Sequence, residues 1–186
     1  MTAPDRRPRG RAGERPTLDA TAARRAALDL LARKAWSRRD LTRRLERRGA
    51  PADVAAAVVA ELAARGYVDD ESFARWWAQA RGQGRRVGST RLRQELVAKG
   101  ISRELAAAAV AAAFEETPEM ERALDAGRRR LAALSRARRE RVPARLADYL
   151  LRRGYPPSVV GRVVRTLLGD AVAAEGADPE PGDEHV

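Results

Sequence analysis

The chain has 186 residues, with 37 Lys+Arg against 26 Asp+Glu, a formal net charge of +11, 44% hydrophobic residues and only 4% aromatics. It is too apolar to be wholly disordered and too poor in aromatic and β-branched residues for a sheet-rich fold. Cysteine is absent and the single histidine is His185, which excludes disulfides, thiolate metal sites, cysteine nucleophiles and Ser-His triads.

No apolar run approaches the roughly 18–20 residues that span a bilayer. The start is basic and Pro-rich with no apolar segment behind it, unlike a secretory signal, so a soluble, cytoplasmic protein is expected. Residues 1–21 hold Arg6, Arg7, Arg9, Arg11 and Arg15 with three prolines, the composition of a disordered basic arm. Residues 170–186 hold six acids and no Lys or Arg, the composition of a disordered acidic tail. Between them, residues 22–169 carry 32 basic and 17 acidic residues, a net positive body that favours an anionic partner.

In chain order, a first helix is expected from about Thr21 to Lys34, with Leu28 and Leu31 on one side. Ser37 and Asp40 then resemble a capping box. The helix they open carries Leu41 and Leu45 on one face and Arg39, Arg43 and Arg47 on the other. Gly49 suits a left-handed helix end, and Pro51 suits the start of the following helix. Asp69 and Asp70 read as caps for a helix bearing Phe73, Trp76 and Trp77, whose spacing, with Tyr67, favours core packing over base stacking. A carboxylate-only magnesium site at Asp69, Asp70 and Glu71 lacks a second acidic cluster to complete it. Arg81, Arg85 and Arg86 lie among Gly82, Gly84 and Gly88, which reads as a flexible basic loop. Thr117-Pro118-Glu119 is a helix start, ahead of Met120, Leu124, Leu131 and Leu134. An Arg-rich link, with Arg136, Arg138, Arg139 and Arg141, precedes Pro143.

One pattern recurs. It reads Leu41, Leu45, Gly49, Pro51, Val54, Val59; then Leu92, Leu96, Gly100, Ser102, Leu105, Val110; then Leu146, Leu150, Gly154, Pro156, Val159, Val164. Each occurrence is a helix–turn–helix hairpin with a further helix before it. The expected fold is all-α: an elongated array of three tandem three-helix repeats, 22–67, 68–116 and 117–169, between disordered tails (1–21 and 170–186).

These motifs resemble the RecX family of RecA regulators. The resemblance rests on Ala27-Leu28-Asp29-Leu30-Leu31 with Ser37-Arg38-Arg39-Asp40-Leu41, on Gly66-Tyr67-Val68-Asp69-Asp70-Glu71-Ser72-Phe73-Ala74, and on Gly88-Ser89-Thr90-Arg91-Leu92-Arg93-Gln94-Glu95-Leu96 running to Gly100-Ile101. The usual family has Pro where this chain has Ser89, which is expected to cap the same helix. The resemblance implies a cytoplasmic, monomeric, non-enzymatic protein without cofactors or a membrane association. Such proteins bind in the groove of the RecA–single-stranded DNA filament. They reduce its ATP hydrolysis, strand exchange and co-protease activity, in recombination, DNA repair and the SOS response. The residues themselves leave open a stand-alone DNA-binding regulator built on the hairpins.

Candidate contacts to RecA or DNA are Arg39, Arg43 and Arg47; Arg81, Arg85, Arg86, Arg91 and Arg93; and Arg128, Arg129, Arg136, Arg138 and Arg139. Each set reads equally as a solvated face, and no catalytic or metal-binding residue is expected.

Overall fold

The computed structural model describes residues 17–85, 87–115, 118–134 and 138–175; for 83–85 and 170–175 it describes the backbone alone. Among these residues there are nine α-helices, one 3-10 turn and no strand. They divide into two compact units between Phe73 and Ala74, within the fourth helix.

The first unit contains α1 (Ala20–Leu31), α2 (Arg38–Glu46) and α3 (Ala52–Ala64). Asp19 caps α1, its carboxylate accepting from the Ala22 N–H at 2.8 Å. The helix buries Ala23, Ala27 and Leu30, spaced i, i+4 and i+7. This corrects the expected Leu28–Leu31 side: Leu28 is exposed and Leu31 only partly buried. Ser37 accepts from the Asp40 N–H at 3.2 Å, the expected opening of α2. Leu41 and Leu45 are fully buried with Val58, Val59, Leu62 and Val68. The Trp36 indole N–H donates to the Leu30 carbonyl at 3.2 Å, fixing the α1–α2 corner. Arg24 and Glu61 join α1 to α3 by an ion pair.

α4 (Asp70–Arg85) runs across the division. Asp69 caps it, accepting from the Glu71 and Ser72 N–H groups. Asp70 instead accepts from the Arg38 N–H at 2.9 Å, closing the start of α2. Both are spent on backbone groups, and among the described residues no cluster of acids or His could hold a metal ion. The helix continues to Arg85, so Arg81, Gly82, Gly84 and Arg85 are helical rather than a flexible loop.

The second unit continues with α5 (Ser89–Ala98), α6 (Arg103–Glu115), α7 (Glu119–Ala132), α8 (Val142–Arg152) and α9 (Pro157–Glu175). The Arg-rich link before Pro143 contains a 3-10 turn, Arg139–Arg141, that leads directly into α8. Residues 170–175, expected in the tail, extend α9. Thr117, Arg86, Arg136, the arm up to residue 16 and the tail from 176 lie outside the described residues.

The hairpins α2–α3, α5–α6 and α8–α9 each turn at the expected glycine: Gly49, Gly100 and Gly154 have φ of 99°, 88° and 82°. In that region a Cβ meets the backbone, which only glycine avoids. Leu92, Leu96, Leu146 and Leu150 are fully buried, as the repeat pattern requires. Ser102 caps α6, accepting from the Leu105 N–H at 3.1 Å.

Gly88 is buried against the turn of the α8–α9 hairpin. Its N–H donates to the Arg153 carbonyl at 2.8 Å, and the Thr90 N–H donates to the Gly154 carbonyl at 3.1 Å. The Ser89 N–H donates to the Glu119 Oε1 at 2.7 Å. Ser89 therefore does not cap α5 with its side chain, as expected, but is its first residue. A proline there could not form the bond to Glu119. Tyr155, next in the turn, is buried, and its hydroxyl donates to the Arg122 carbonyl at 3.3 Å. Burial pushes its phenol up from 10.0 to about 12.

A Cβ at Gly88 would overlap the Gly154 carbonyl and the Tyr155 nitrogen, both backbone, whereas a Cβ at Gly169 meets nothing. Gly88→Ala is expected to lower stability by about 2–3 kcal/mol in denaturant melts, and Gly169→Ala to raise it by about 0.5–1 kcal/mol. In an ultraviolet titration, Tyr155 is expected to ionise only near pH 12. Because its folded pKa is raised, the stability it contributes is complete below pH 10 and is lost as the pH rises toward 12. Tyr155→Phe is expected to remove that alkaline loss.

Candidate nucleic-acid interface

The candidate arginines divide by what they touch. In the first unit, Arg39, Arg43 and Arg47 are all exposed on the side of α2 opposite Leu41 and Leu45. Arg47 Nε donates to the Arg43 carbonyl at 3.2 Å, which holds its stem along the helix end. Among the described residues none of the three pairs with a carboxylate. Asp40 is half-buried at the helix start, and Glu46 is the acid exposed on this side.

In the second unit, Arg81 is not a free contact. It donates to both oxygens of Glu95 at 3.0 Å and lies over the Trp77 ring, 5.0 Å from its centroid. Lys99 covers the same ring at 4.3 Å, and the Trp77 indole N–H donates to Glu95 at 3.3 Å. Arg91 adds a bond to Glu95 at 3.2 Å and another to the Arg152 carbonyl at 3.2 Å. Burial alone would raise the Glu95 pKa, but the hydrogen bonds from Arg81, Arg91 and Trp77 outweigh it and hold the carboxyl below its ordinary range. Arg81 thus ties α4 to α5 and Arg91 ties α5 to the end of α8; the i,i+4 spacing reveals only the Arg91–Glu95 pair within α5. The fourteen-residue separation of Arg81 from Glu95 hides the rest from sequence reading.

Arg93 and Arg128 are exposed; Arg129 is exposed but paired to Asp125 at 3.2 Å. Arg138 and Arg139 are exposed around the 3-10 turn. The guanidinium groups of Arg130 and Arg153 both lie over the Tyr149 ring, 5.4 and 4.6 Å from its centroid. Arg122, which sequence reading missed, is only 7% exposed. It donates to the Ala113 carbonyl near the α6 end and stacks over Phe114 at 4.4 Å. The favourable cation position at a helix C-terminus explains how a buried guanidinium is tolerated.

The aromatic residues also divide. Phe73 is buried and Trp77 half-buried, as expected, but Tyr67 is 59% and Trp76 51% exposed. Both were expected in the core. On a helix with Ala74 and Ala78 fully buried, Trp76 falls on the other side.

Models of the RecX family match this chain in two places: the first three-helix domain over residues 23–62 and the second over residues 69–110. The chain is 34% identical over 177 residues to the regulatory protein RecX of Streptomyces coelicolor, covering 95% of this chain and 92% of that one. It is 35% identical over 161 residues to the protein of the same name in Thermobifida fusca, covering 86% of each. A crystal structure of RecX from Lactobacillus salivarius is similar in fold, with a TM-score of 0.70 at 16% identity over 80% of this chain and 96% of that one.

Glu95→Gln keeps the shape of the α4–α5 anchor and removes its charge. It is expected to lower stability by about 1–2 kcal/mol at neutral pH. A depressed carboxyl contributes stability above its ordinary pKa of 4.5 and loses it as the pH falls through the lowered folded value. The difference between wild type and variant should therefore narrow on acidification, which urea melts at a series of pH values would show.

Proposed function

The chain belongs to the RecX family, and from that premise we propose that it modulates, and mainly inhibits, the RecA recombinase by binding in the groove of the RecA–single-stranded DNA filament. Bound there, it reduces ATP hydrolysis, strand exchange and co-protease activity. Its relatives are named regulatory proteins, and a regulatory role follows from membership. RecA and single-stranded DNA as partners come from the motif resemblance, with a cytoplasmic, monomeric, non-enzymatic mode of action. In the described residues no helix is long and apolar enough to cross a membrane.

The observation that carries the reading is the sorting of the arginines. Those that hold helices together (Arg24, Arg81, Arg91) are paired, while Arg39, Arg43, Arg47, Arg93, Arg128 and Arg138 stand exposed without a carboxylate among the described residues. Unpaired guanidinium groups on a net positive body suit a polyanionic filament. The division into repeats 22–67, 68–116 and 117–169 belongs to the same proposal, supported by the recurrence of the left-handed glycine in three hairpins.

The test is ATP hydrolysis by RecA preassembled on saturating single-stranded DNA, titrated with this protein. Inhibition well below one molecule per RecA is expected. No inhibition at excess protein, with DNA binding intact, would overturn the proposal in favour of a DNA-binding regulator that acts alone.

A further inference from the structure

Resting on the reading above, one surface can be assigned a narrower partner. We propose that the outer face of α2 is a phosphate ladder, on which Arg39, Arg43 and Arg47 each engage one phosphate of a single nucleic-acid strand. The three residues are spaced i, i+4 and i+8, Arg39 and Arg43 within α2 and Arg47 at its C-cap, where the backbone is still in the right-handed helical region. At 1.5 Å per residue their attachment points are about 6 Å apart along the axis. That step is comparable to the separation of neighbouring phosphates along an extended strand, so the guanidinium groups meet successive nucleotides rather than one.

The composition of the face selects this partner over a protein. Every exposed or half-exposed residue from 38 to 47 is Arg, Thr, Asp or Glu, with Asp40 and Glu46 the two acids. No apolar or aromatic side chain is among them, whereas the centre of a protein–protein interface is depleted in charge and enriched in such anchors. Residues 38–48 hold six arginines against Asp40 and Glu46. Nor does the hairpin itself require arginine there. At the equivalent positions the α5 helix has Thr90, Gln94 and Ala98, and the α8 helix has Ala144, Asp148 and Arg152. The hairpins share their buried leucines and turning glycines but not this face. At these positions the row of three arginines occurs on α2 and not on α5 or α8.

Contacts of this kind are read by salt dependence. Each phosphate neutralised on a single strand contributes about 0.7 to the slope of log K against log salt. The experiment measures fluorescence anisotropy of a labelled oligothymidylate with the full chain, without RecA, as NaCl is raised. Arg39→Gln/Arg43→Gln/Arg47→Gln is expected to reduce the slope by about 2, the sum for three phosphates. Gln is a good helix former, and circular dichroism checks that the helix is retained. Arg103→Gln/Arg162→Gln/Arg165→Gln removes the same charge from exposed positions on α6 and α9 and should leave the slope nearly unchanged. Glu46→Gln, which removes the more exposed of the two acids on the face, is expected to tighten binding about two- to fivefold at low salt.

An unchanged slope in the α2 variant, or equal losses in both triple variants, overturns the ladder; so does weaker or unaltered binding by Glu46→Gln. Loss of RecA inhibition with the slope unchanged also overturns it, because α2 would then meet protein. A reduced slope in a protein that never inhibits RecA supports the ladder and removes the broader reading instead.

Discussion

The second unit depends on how the start of α5 is closed. A helix begins with backbone N–H groups that have no partner within it, and burying them unsatisfied is costly. Here Gly88 provides no side-chain cap. The N–H groups of Gly88 and Thr90 are taken by carbonyls of the α8–α9 turn, and that of Ser89 by Glu119 at the start of α7. The closure works only because Gly88 and Gly154 bring backbone against backbone with no Cβ between them. The same turn places Tyr155 in the core, where its hydroxyl meets the Arg122 carbonyl. A hydrogen-bonding need local to one helix thus fixes where α7, α8 and α9 lie against α5.

Arginine supplies much of what remains, in two different ways. Its planar fork of five donors allows Arg81 and Arg91 to converge on one carboxylate while also stacking on Trp77 or reaching a carbonyl. Arg24 does the same for α1 and α3 through Glu61, whose carboxyl that hydrogen bond holds below its ordinary range. Such pairs lie partly in solvent, so each adds modestly to stability while fixing geometry. Because the anchors have consumed those carboxylates, the arginines left over keep an uncompensated charge. Part of the charge of this strongly basic chain thus organises helices, and the remainder, Arg39, Arg43 and Arg47 on α2 among it, stays exposed.

The local architecture was legible from residue spacing. Buried Leu41, Leu45, Leu92, Leu96, Leu146 and Leu150, the left-handed Gly49, Gly100 and Gly154, and the caps at Ser37, Asp69 and Ser102 all follow from helical spacing and helix-end chemistry. These signals act within a few residues, so one strand of sequence contains them whole. Residues whose partners lie far along the chain took their roles from folding instead. The glycines after Arg81 read as a loop because glycine is a poor helix former, yet α4 runs through them to Arg85. Ser89 reads as a cap, but its role is set by Glu119, thirty residues on. Trp76 and Tyr67 read as core because aromatics usually are, but burial belongs to whichever face a neighbouring helix covers, and periodicity names a face without naming its neighbour. The spacing of Arg39, Arg43 and Arg47 was legible from the start; that they, unlike Arg81 and Arg91, remain without a carboxylate was decided by which acids folding brought near.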